Sequence, residues 1–305
     1  MQESRAYETW ARMVEPGDEA AGYLVAALGV EESLSFVRTG VVGQILKRLE
    51  DSAWLEAGFT RFNKLDSTLQ DSFARWQPRL AEAESQSAIR FSNGYQYALL
   101  TPAHSSWPSR LQDLGWGAPL ALWVRGSTDL VTEVEYWVAM VGARAASGYG
   151  ARVVGRLVSE LVGEGTGVVS GGAYGIDGLA HHEALTNHVP TVAVMAGGVD
   201  RPYPLGNRLL LDRVAEQGAV ISEMPPGTAP TKWRFLQRNR LIAALADATV
   251  VVEAGWRSGS INTANHAEQL GRPVGAVPGS IFDSTSSGCH RILAERRAEV
   301  VTDIS

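Results

Sequence analysis

The stretch YWVAMVGARAASGYG at residues 136–150 contains the pattern from which the fold of this chain can be predicted. A continuous apolar run leads into a loop that contains glycine, and a segment of helical length follows the loop. The same order returns in GVVSGGAYGID at residues 167–177. Apolar runs without alternation are typical of strands that are covered on both faces, as in a parallel sheet. Each stretch therefore predicts a strand that ends in a glycine loop before a helix.

Further apolar runs repeat this pattern along the chain from Leu120 onward. They are LALWV at 120–124, TVAVMAGG at 191–198, GAVISE at 218–223, TVVVEA at 249–254 and VGAVPG at 274–279. Segments of helical length separate most of them, and the alternation of strands with helices is typical of a doubly wound α/β layer. We predict a Rossmann-like domain with a mostly parallel sheet over residues 119–305.

Residues 1–85 differ from this pattern and predict an N-terminal helical domain of a SAM or helix-hairpin-helix type. Asp18 is a candidate N-cap for the helix AAGYLVAAL, which Gly29 could end. A small helical bundle is the first interpretation, and a DNA-contact module is the alternative. The net charge of −5 over residues 1–85 disfavours a strong role in DNA binding. Residues 86–118, which contain several prolines and glycines, are interpreted as a connecting segment.

The composition excludes several classes of protein. The 305 residues are 45% apolar, with a mean hydropathy of −0.06. No apolar stretch reaches the roughly 18 residues of a membrane-spanning helix, so we expect no membrane span. The N-terminus lacks the basic start and apolar run of a secretory signal. Cys289 is the only cysteine, which excludes an internal disulfide, and these features together favour a cytoplasmic protein.

The net charge of −6 at first argues against nucleic acid as a ligand, but residues 86–305 carry a net charge of only −1. Local patches therefore decide what this larger part of the chain binds. Glycine is concentrated in the same part of the sequence, which indicates that the backbone is held close to a ligand.

Glycine, serine or arginine follows five of the predicted strands, at the point where each strand ends. The five loops are GARAASGYG from Gly142, SGGAYGID from Ser170, GGVDRPYP from Gly197, SEMPPG from Ser222 and GWRSGSINTA from Gly255. In an open parallel sheet, ligands bind outside the carboxyl ends of the strands. The free N–H groups of helix N-termini suit phosphate at this edge. Five such loops predict a phosphate-binding surface, although Ser147 could instead cap its own helix.

The segment TKWRFLQRNR at residues 231–240 places four cations beside two aromatic residues, and no acidic residue occurs between Glu223 and Asp247. This combination suits single-stranded nucleic acid, which offers phosphates together with exposed base faces. Tyr203 could also stack on a base. The alternative is that Phe235 belongs to the core and that one arginine pairs with Glu223. The predicted DNA-binding residues are Gly142, Arg144, Ser147, Gly150, Ser170, Gly171, Gly172, Lys232, Arg234, Arg238, Asn239, Arg240, Arg257, Ser258, Gly259 and Ser260.

Motifs for several catalytic chemistries are missing. Because Lys232 is the only lysine after residue 64, no P-loop lysine is available, and the strict GxGxxG fingerprint of dinucleotide binding is absent. The GxSxG elbow of hydrolases and the zinc motif HExxH are absent as well. We therefore predict no catalytic residue, no metal site and no cofactor. A surface that suits phosphate but lacks a nucleophile, a base and a metal is interpreted as a binding surface.

Several motifs together resemble those of the DNA-processing protein A family of bacterial natural transformation, also called Smf. They are G-x-R-x-x-S-x-Y-G at 142–150, S-G-G-A-x-G-I-D at 170–177, G-x-D-x-x-Y-P at 198–204, F-x-x-R-N-R-x-I at 235–242 and S-G-S at 258–260. The resemblance runs from about Trp107 to Ile292, and the helical N-terminal part is also similar.

The resemblance implies a Rossmann-like domain that binds single-stranded DNA without marked sequence preference, protects incoming strands and loads the RecA recombinase onto them. Family members often act as homodimers. The binding arginine of the family corresponds to Arg144, and a second basic residue corresponds to Lys232 or Arg234. The alternative is a nucleotide-processing enzyme on a similar fold, such as a nucleoside-monophosphate phosphoribohydrolase. That class carries a PGGxGTxxE pattern, whereas in SGGAYGID no suitably placed glutamate follows Asp177.

Overall fold

The computed structural model describes residues 2–50, 52–86, 91–92 and 94–303. Its helices are α1 (Gln2–Met13), α2 (Glu19–Leu28), α3 (Val30–Thr39), α4 (Val42–Arg48), α5 (Ala53–Phe62), α6 (Leu65–Gln86), α7 (Leu130–Glu133), α8 (Gly148–Glu160), α9 (Ile176–Thr186), α10 (Arg208–Gln217), α11 (Lys232–Leu245), α12 (Ser260–Gln269) and α13 (Ser287–Ala294). Short 3₁₀ helices lie at Ser109–Gly117, Leu205–Asn207 and Ser284–Ser286.

The strands are β1 (Phe91–Ser92), β2 (Tyr95–Gln96), β3 (Ala98–Leu100), β4 (Leu122–Gly126), β5 (Tyr136–Val141), β6 (Thr166–Ser170), β7 (Thr191–Met195), β8 (Ala219–Ser222), β9 (Ala248–Val251), β10 (Val274–Ala276) and β11 (Glu299–Val300). β1 and β2 pair as a small antiparallel sheet. The other strands form one sheet of nine in the order β11-β10-β9-β5-β6-β7-β8-β4-β3. From β11 to β8 the strands are parallel, which confirms the predicted mostly parallel sheet.

The order of the strands contains a switch point at β5. The chain runs from β5 through β6 and β7 to β8 in one direction across the sheet, and it then returns through α11 to β9 on the other side of β5. The loops that follow β5 and β9 therefore leave the sheet in opposite directions. Such a topological switch point opens a crevice outside the carboxyl ends of the strands.

Both faces of the sheet are covered, as the continuous apolar runs predict. Successive side chains of a strand point to opposite faces. Ala139 and Val141 of β5 therefore join a core with Leu241 of α11, whereas Met140 joins the opposite core with Val154 of α8. A strand buried in this way has no polar face, which explains why its sequence does not alternate.

One end of the predicted mostly parallel sheet is antiparallel. The run LALWV forms β4, but β4 is antiparallel to β8, and β3 pairs with β4 antiparallel as the edge strand. An apolar run shows that a strand is buried and does not reveal its direction. β3 lies inside the predicted connecting segment 86–118, so that segment contributes to the sheet. Residues 87–90 and 93 of the segment lie outside the described residues.

Helices α1–α6 form the N-terminal region and have a core of their own. Trp10 and Trp76 meet edge to face with ring centroids 5.1 Å apart, and both are buried. Asp18 caps α2 as expected: one carboxylate oxygen accepts the Ala21 N–H at 3.3 Å, and the other accepts the indole N–H of Trp76 at 3.0 Å. α2 also ends at Gly29, as the sequence predicts.

Within the described residues, no single helix has the length and apolarity to cross a membrane. α2 and α3 have the required length and apolarity only when they are taken together, and the chain bends by 116° between them. Tyr23, Leu24 and Leu34 of this pair are buried in the helical core.

One ion pair attaches the N-terminal helices to α11, and a second ion pair holds α11 to the end of β8. Arg240 donates two hydrogen bonds of 2.8 Å to the carboxylate of Glu223, as one of the sequence alternatives proposed, and two more to the carbonyl oxygen of Gly117. Arg234 donates to the carboxylate of Glu15, which follows α1, at 2.9 and 3.0 Å. The side chains of Arg240 and Glu223 are only 7% and 12% exposed, so this pair is shielded from solvent.

We predict that Glu223→Gln lowers the free energy of unfolding by about 3 kcal/mol, because it leaves the buried Arg240 guanidinium without its counter-charge. Urea denaturation measures the change. Glu32→Gln is the matched control, since the Arg48–Glu32 pair is exposed on both sides and its loss should cost less than about 1 kcal/mol. Equal losses in the two variants would contradict a stabilising role for the buried pair.

Candidate nucleic-acid interface

The loop that follows β5 carries Arg144 at the edge of the crevice. Arg144 is exposed, and its guanidinium carbon lies 5.5 Å from the centre of the Phe235 ring on α11. Gly175, in the loop after β6, has a φ of +75°, and a side chain there would collide with the carbonyl oxygens of Ala143 and Arg144. The two loops thus rest directly on each other, a contact that requires glycine.

The N-terminus of α8 is occupied by a carboxylate of the chain itself. Glu253, two residues after β9 and 1% exposed, accepts the Ser147 N–H at 2.9 Å and the Ser147 hydroxyl at 2.5 Å. Ser147 also caps α8 by accepting the Gly150 N–H at 3.1 Å, and a side chain at Gly150 would collide with Glu253. We expected Ser147 and Gly150 to face a phosphate. The structure corrects this expectation, because both pack against Glu253, and Ser147 has the helix-capping role that was the alternative.

The glycine loop after β6 is also filled from inside the protein. Ser170 is fully buried and donates its hydroxyl to a backbone carbonyl of β5 at 2.6 Å. The Gly171 N–H donates to Asp177 at 3.2 Å, and the Gly171 carbonyl accepts from Arg238 at 2.7 Å. Gly172 is buried as well. The loop that we expected to bind phosphate therefore holds the Asp177 carboxylate.

The polar side chains of α11 point in different directions. Lys232 is exposed at the start of the helix, beside the crevice. Arg234 and Arg240 point to the N-terminal side and form the two ion pairs described above. Asn239 donates to the carbonyl oxygen of Gly259 at 3.3 Å and so links α11 to the loop after β9. We predicted Arg234 and Arg240 as DNA-binding residues, but their guanidinium groups already bind carboxylates, that of Glu15 beside α1 and that of Glu223 after β8.

The loop after β9 forms the opposite wall of the crevice. Arg257 and Gly259 are exposed there. The hydroxyl groups of Ser258 and Ser260 lie 2.7 Å apart, and the Ser260 N–H donates to the Ser258 hydroxyl at 3.4 Å. The start of α12 thus presents small polar groups to the crevice.

These parts surround a cleft of about 470 Å³ at the switch point, which we call the switch-point cleft. The predicted residues that line it are Gly142, Arg144, Lys232, Arg238, Asn239, Arg257, Ser258, Gly259 and Ser260. The predicted residues that do not line it are Ser147, Gly150, Ser170, Gly171, Gly172, Arg234 and Arg240. The structure therefore brings together predicted residues from two separate loops and from helix α11, and leaves seven predicted residues in supporting positions.

Three cations of the switch-point cleft are available to a ligand. Arg144, Lys232 and Arg257 are exposed, and none of them forms an ion pair with another residue in the described part of the chain. Asp177 also lines the cleft, but it is 7% exposed and accepts backbone N–H groups. The accessible charge of the cleft is therefore positive, although the whole chain is acidic.

An apolar floor accompanies these cations. Phe235 and Leu236 line the cleft, and the ring of Tyr203 lies 5.5 Å from that of Phe235. Tyr203 is 45% exposed, so one end of the aromatic pair reaches solvent. The site prediction omitted Phe235 and Leu236; the alternation of aromatic and basic residues at 232–236 was the signal that could have indicated them.

A buried charged network lies below the cleft. Burial lowers the pKa of Arg238 to about 10, although Asp177 acts in the opposite direction, so the guanidinium stays protonated at neutral pH. Burial and the nearby Arg238 lower the pKa of His181 to about 3. The Nδ1 of His181 lies 2.8 Å from the Thr191 hydroxyl, which donates to the Val168 carbonyl at 3.1 Å. The network therefore contains one fixed cation and one neutral histidine.

Fold and site together define a Rossmann-like α/β protein with a basic, aromatic-floored cleft at its switch point. Among the residues whose placement is described, no group of three or more His, Cys, Asp or Glu side chains could hold a metal ion. The family model of DNA recombination-mediator protein A matches residues 98–305. The chain belongs to this family.

Two curated relatives illustrate the relationship. A protein of Mycobacterium tuberculosis named putative DNA processing protein DprA is 40% identical over 310 residues, which cover 98% of this chain and 72% of that protein. The DNA processing protein DprA of Streptococcus pneumoniae is 43% identical over 187 residues, which cover 61% of this chain and 65% of the relative. Similarity to the first relative thus includes the N-terminal helices.

Two solved structures are similar in fold. The X-ray structure of DNA processing protein A from Streptococcus pneumoniae superposes with a TM-score of 0.68 at 33% identity, over 89% of this chain and 94% of the other. DNA processing protein A from Helicobacter pylori gives a TM-score of 0.63 at 29% identity, over 70% and 94% of the two chains. The second structure concerns the single-stranded DNA binding mode of the Helicobacter pylori protein.

The low pKa of His181 predicts a specific pH dependence of stability. Unfolding returns the imidazole to a pKa near 6.5, so between pH 6.5 and about 3 the unfolded chain binds one proton more than the native protein. The contribution of the neutral His181 imidazole to the free energy of unfolding is therefore lost as the pH falls through this range. We expect His181→Gln to flatten the dependence of unfolding free energy on pH by at most about 1.4 kcal/mol per pH unit.

Urea midpoints between about pH 4.5 and pH 7.5 measure this effect. His182→Gln is the control, because His182 is exposed on the neighbouring position of α9 and is solvated in both states. A His181→Gln variant that keeps the pH dependence of the wild type would show that the buried imidazole is not its source.

Proposed function

We propose that this chain binds single-stranded DNA in the switch-point cleft. The observation that carries the proposal is the meeting of Arg144, Lys232 and Arg257 around the ring of Phe235. Cations can contact phosphates, while an aromatic floor can stack on a base. All bases have a π-face, so binding of this kind has little sequence preference.

The geometry favours a single strand over a duplex. A cleft of about 470 Å³ is large enough for one or two nucleotide units and too small to hold a double helix, whose bases are paired and stacked. Phe235 lines the cleft and is half-buried, and stacking on its ring needs a base whose face is not covered by a neighbouring base pair. The single-stranded DNA binding mode of the related Helicobacter pylori protein supports the same ligand class.

In the cell, we propose that the chain acts in natural transformation and recombination. It would protect internalised single strands in the cytoplasm and load the RecA recombinase onto them. The description of the family as a recombination mediator supports this role. Binding without catalysis is the proposed mode of action, since the carboxylates nearest the cleft, Asp177 and Glu253, accept hydrogen bonds from the protein itself.

We also propose that the chain works as a homodimer, as the family resemblance implies. Ile281 and Phe282, in the loop after β10, are 82% and 93% exposed, and these adjacent apolar side chains offer area for contact with a second copy. Static light scattering of the free protein tests the dimer directly.

We predict that Arg144→Ala weakens binding of a fluorescent oligothymidylate roughly tenfold, because a charge-assisted hydrogen bond to phosphate contributes about 1.5 kcal/mol. Fluorescence anisotropy at several salt concentrations measures the change. The slope of log affinity against log salt should become less steep by about 0.7, the value for one phosphate contact on a single strand. Duplex DNA of the same length should bind more weakly than the single strand.

Arg156→Ala is the matched control for this experiment. It also removes one exposed arginine, but Arg156 lies on α8 in a 3.0 Å pair with Glu160, away from the cleft. Undiminished binding by Arg144→Ala, or equal losses in the two variants, would contradict the placement of DNA in the cleft. Release of free base from a nucleoside monophosphate would instead favour the phosphoribohydrolase hypothesis.

The RecA role makes its own prediction. On DNA coated with single-strand-binding protein, the chain should shorten the lag before RecA hydrolyses ATP, because it would hold bare strand for RecA nucleation. Arg144→Ala should lose this effect. DNA binding with no change in the lag would contradict RecA loading and leave the binding proposal intact.

A further inference from the structure

A second cleft of about 760 Å³ lies beside the switch-point cleft, on the side of α9 and α10. Residues 144–146, the start of α9 and the first turns of α10 surround it. We call it the second cleft. Arg144 lines both clefts, so the two clefts adjoin at this residue.

The second cleft is also basic. Arg213 and His182 line it and are exposed. Arg213 forms no ion pair with any other described residue, and the lining contains neither Asp nor Glu. A negatively charged ligand that contacts Arg144 therefore finds a further free cation on this side.

Exposed apolar side chains surround the same region. Leu209 lines the second cleft and is 79% exposed, while Leu205, one turn earlier, is 74% exposed. The ring of Tyr174 is 48% exposed, and its hydroxyl accepts the Gly206 N–H at 3.2 Å, which holds the ring beside these residues. Free cations next to apolar surfaces repeat the chemistry of the switch-point cleft.

We infer that a DNA strand bound in the switch-point cleft continues past Arg144 into the second cleft. The phosphates there contact Arg213, and bases lie on Leu209 and Tyr174. This inference rests on the proposed function and extends the DNA-binding site from the switch-point cleft to a path through both clefts. The occupant is single-stranded DNA because the two clefts share Arg144 and because the lining charge is uniformly positive.

Binding of oligothymidylates of about 4 to 20 nucleotides to the full chain tests the path. Arg213→Ala should bind the shortest oligonucleotides as the wild type does and should lose several-fold in affinity for the longest ones. Its salt slope with long oligonucleotides should be less steep by about 0.7, as expected for one lost phosphate contact. Arg144→Ala should weaken binding at every length.

Arg208→Ala is the control variant. It removes one arginine from the same helix, but Arg208 pairs with Asp212 at 3.8 Å and does not line the second cleft. Its affinity should equal that of the wild type at all lengths. An Arg213→Ala variant that matches Arg208→Ala at every length, or one that loses affinity equally for short and long strands, overturns the inference. If the wild type binds no oligonucleotide, the proposed function itself fails.

A second measurement uses a fluorescent label on a cysteine introduced at the second cleft. Cys289 is buried, and burial raises the pKa of its thiol to about 11, so the variant Leu209→Cys offers the accessible thiol for a fluorescent label. Long oligonucleotides should change the emission of the label and short ones should not. If the emission of the label changes with protein concentration in the absence of DNA, a second copy of the chain covers this surface. That result also overturns the inference.

Discussion

The buried guanidinium of Arg238 is the interaction on which the arrangement of the site depends. It donates to the carbonyl oxygens of Gly171 and Val194, at the ends of β6 and β7, and so fixes α11 over the carboxyl edge of the sheet. Asp177 balances its charge and at the same time binds the backbone of the first two loops. Because α11 is held there, Lys232 and Phe235 stand opposite Arg144. Burying the Arg238 charge costs free energy, but the hydrogen bonds that satisfy this charge hold α11 rigidly as one wall of the cleft.

The same helix connects the two parts of the chain. Arg234 and Arg240 use the side of α11 that faces away from the cleft, where they bind the carboxylates of Glu15 and Glu223. The N-terminal helices therefore support the cleft from behind, although they contribute none of its lining residues. Glu15 of the acidic helical region thus neutralises Arg234, and Glu223 of the sheet region neutralises Arg240, two arginines that do not line the cleft.

The parallel sheet and the edge that bears the cleft could be predicted, because strands buried on both faces leave continuous apolar runs and parallel strands end at one edge. The meeting of Arg144, Lys232 and Arg257 follows from this topology. The position of Glu253 could not be predicted, since occupation of the N-terminus of α8 by a carboxylate from a distant loop depends on tertiary packing. The directions in which Arg234 and Arg240 point could not be predicted either. Every residue from 238 to 245 is buried, so the sequence of α11 does not show which side of the helix faces solvent. Nor does an apolar run reveal that β4 is antiparallel.

A crystal structure of the chain with a bound oligothymidylate tests the central claim most directly. The account predicts phosphates within hydrogen-bond distance of Arg144 and of Lys232 or Arg257, with one base against the ring of Phe235. A strand bound at the opposite edge of the sheet, or along the N-terminal helices with the switch-point cleft empty, would contradict it.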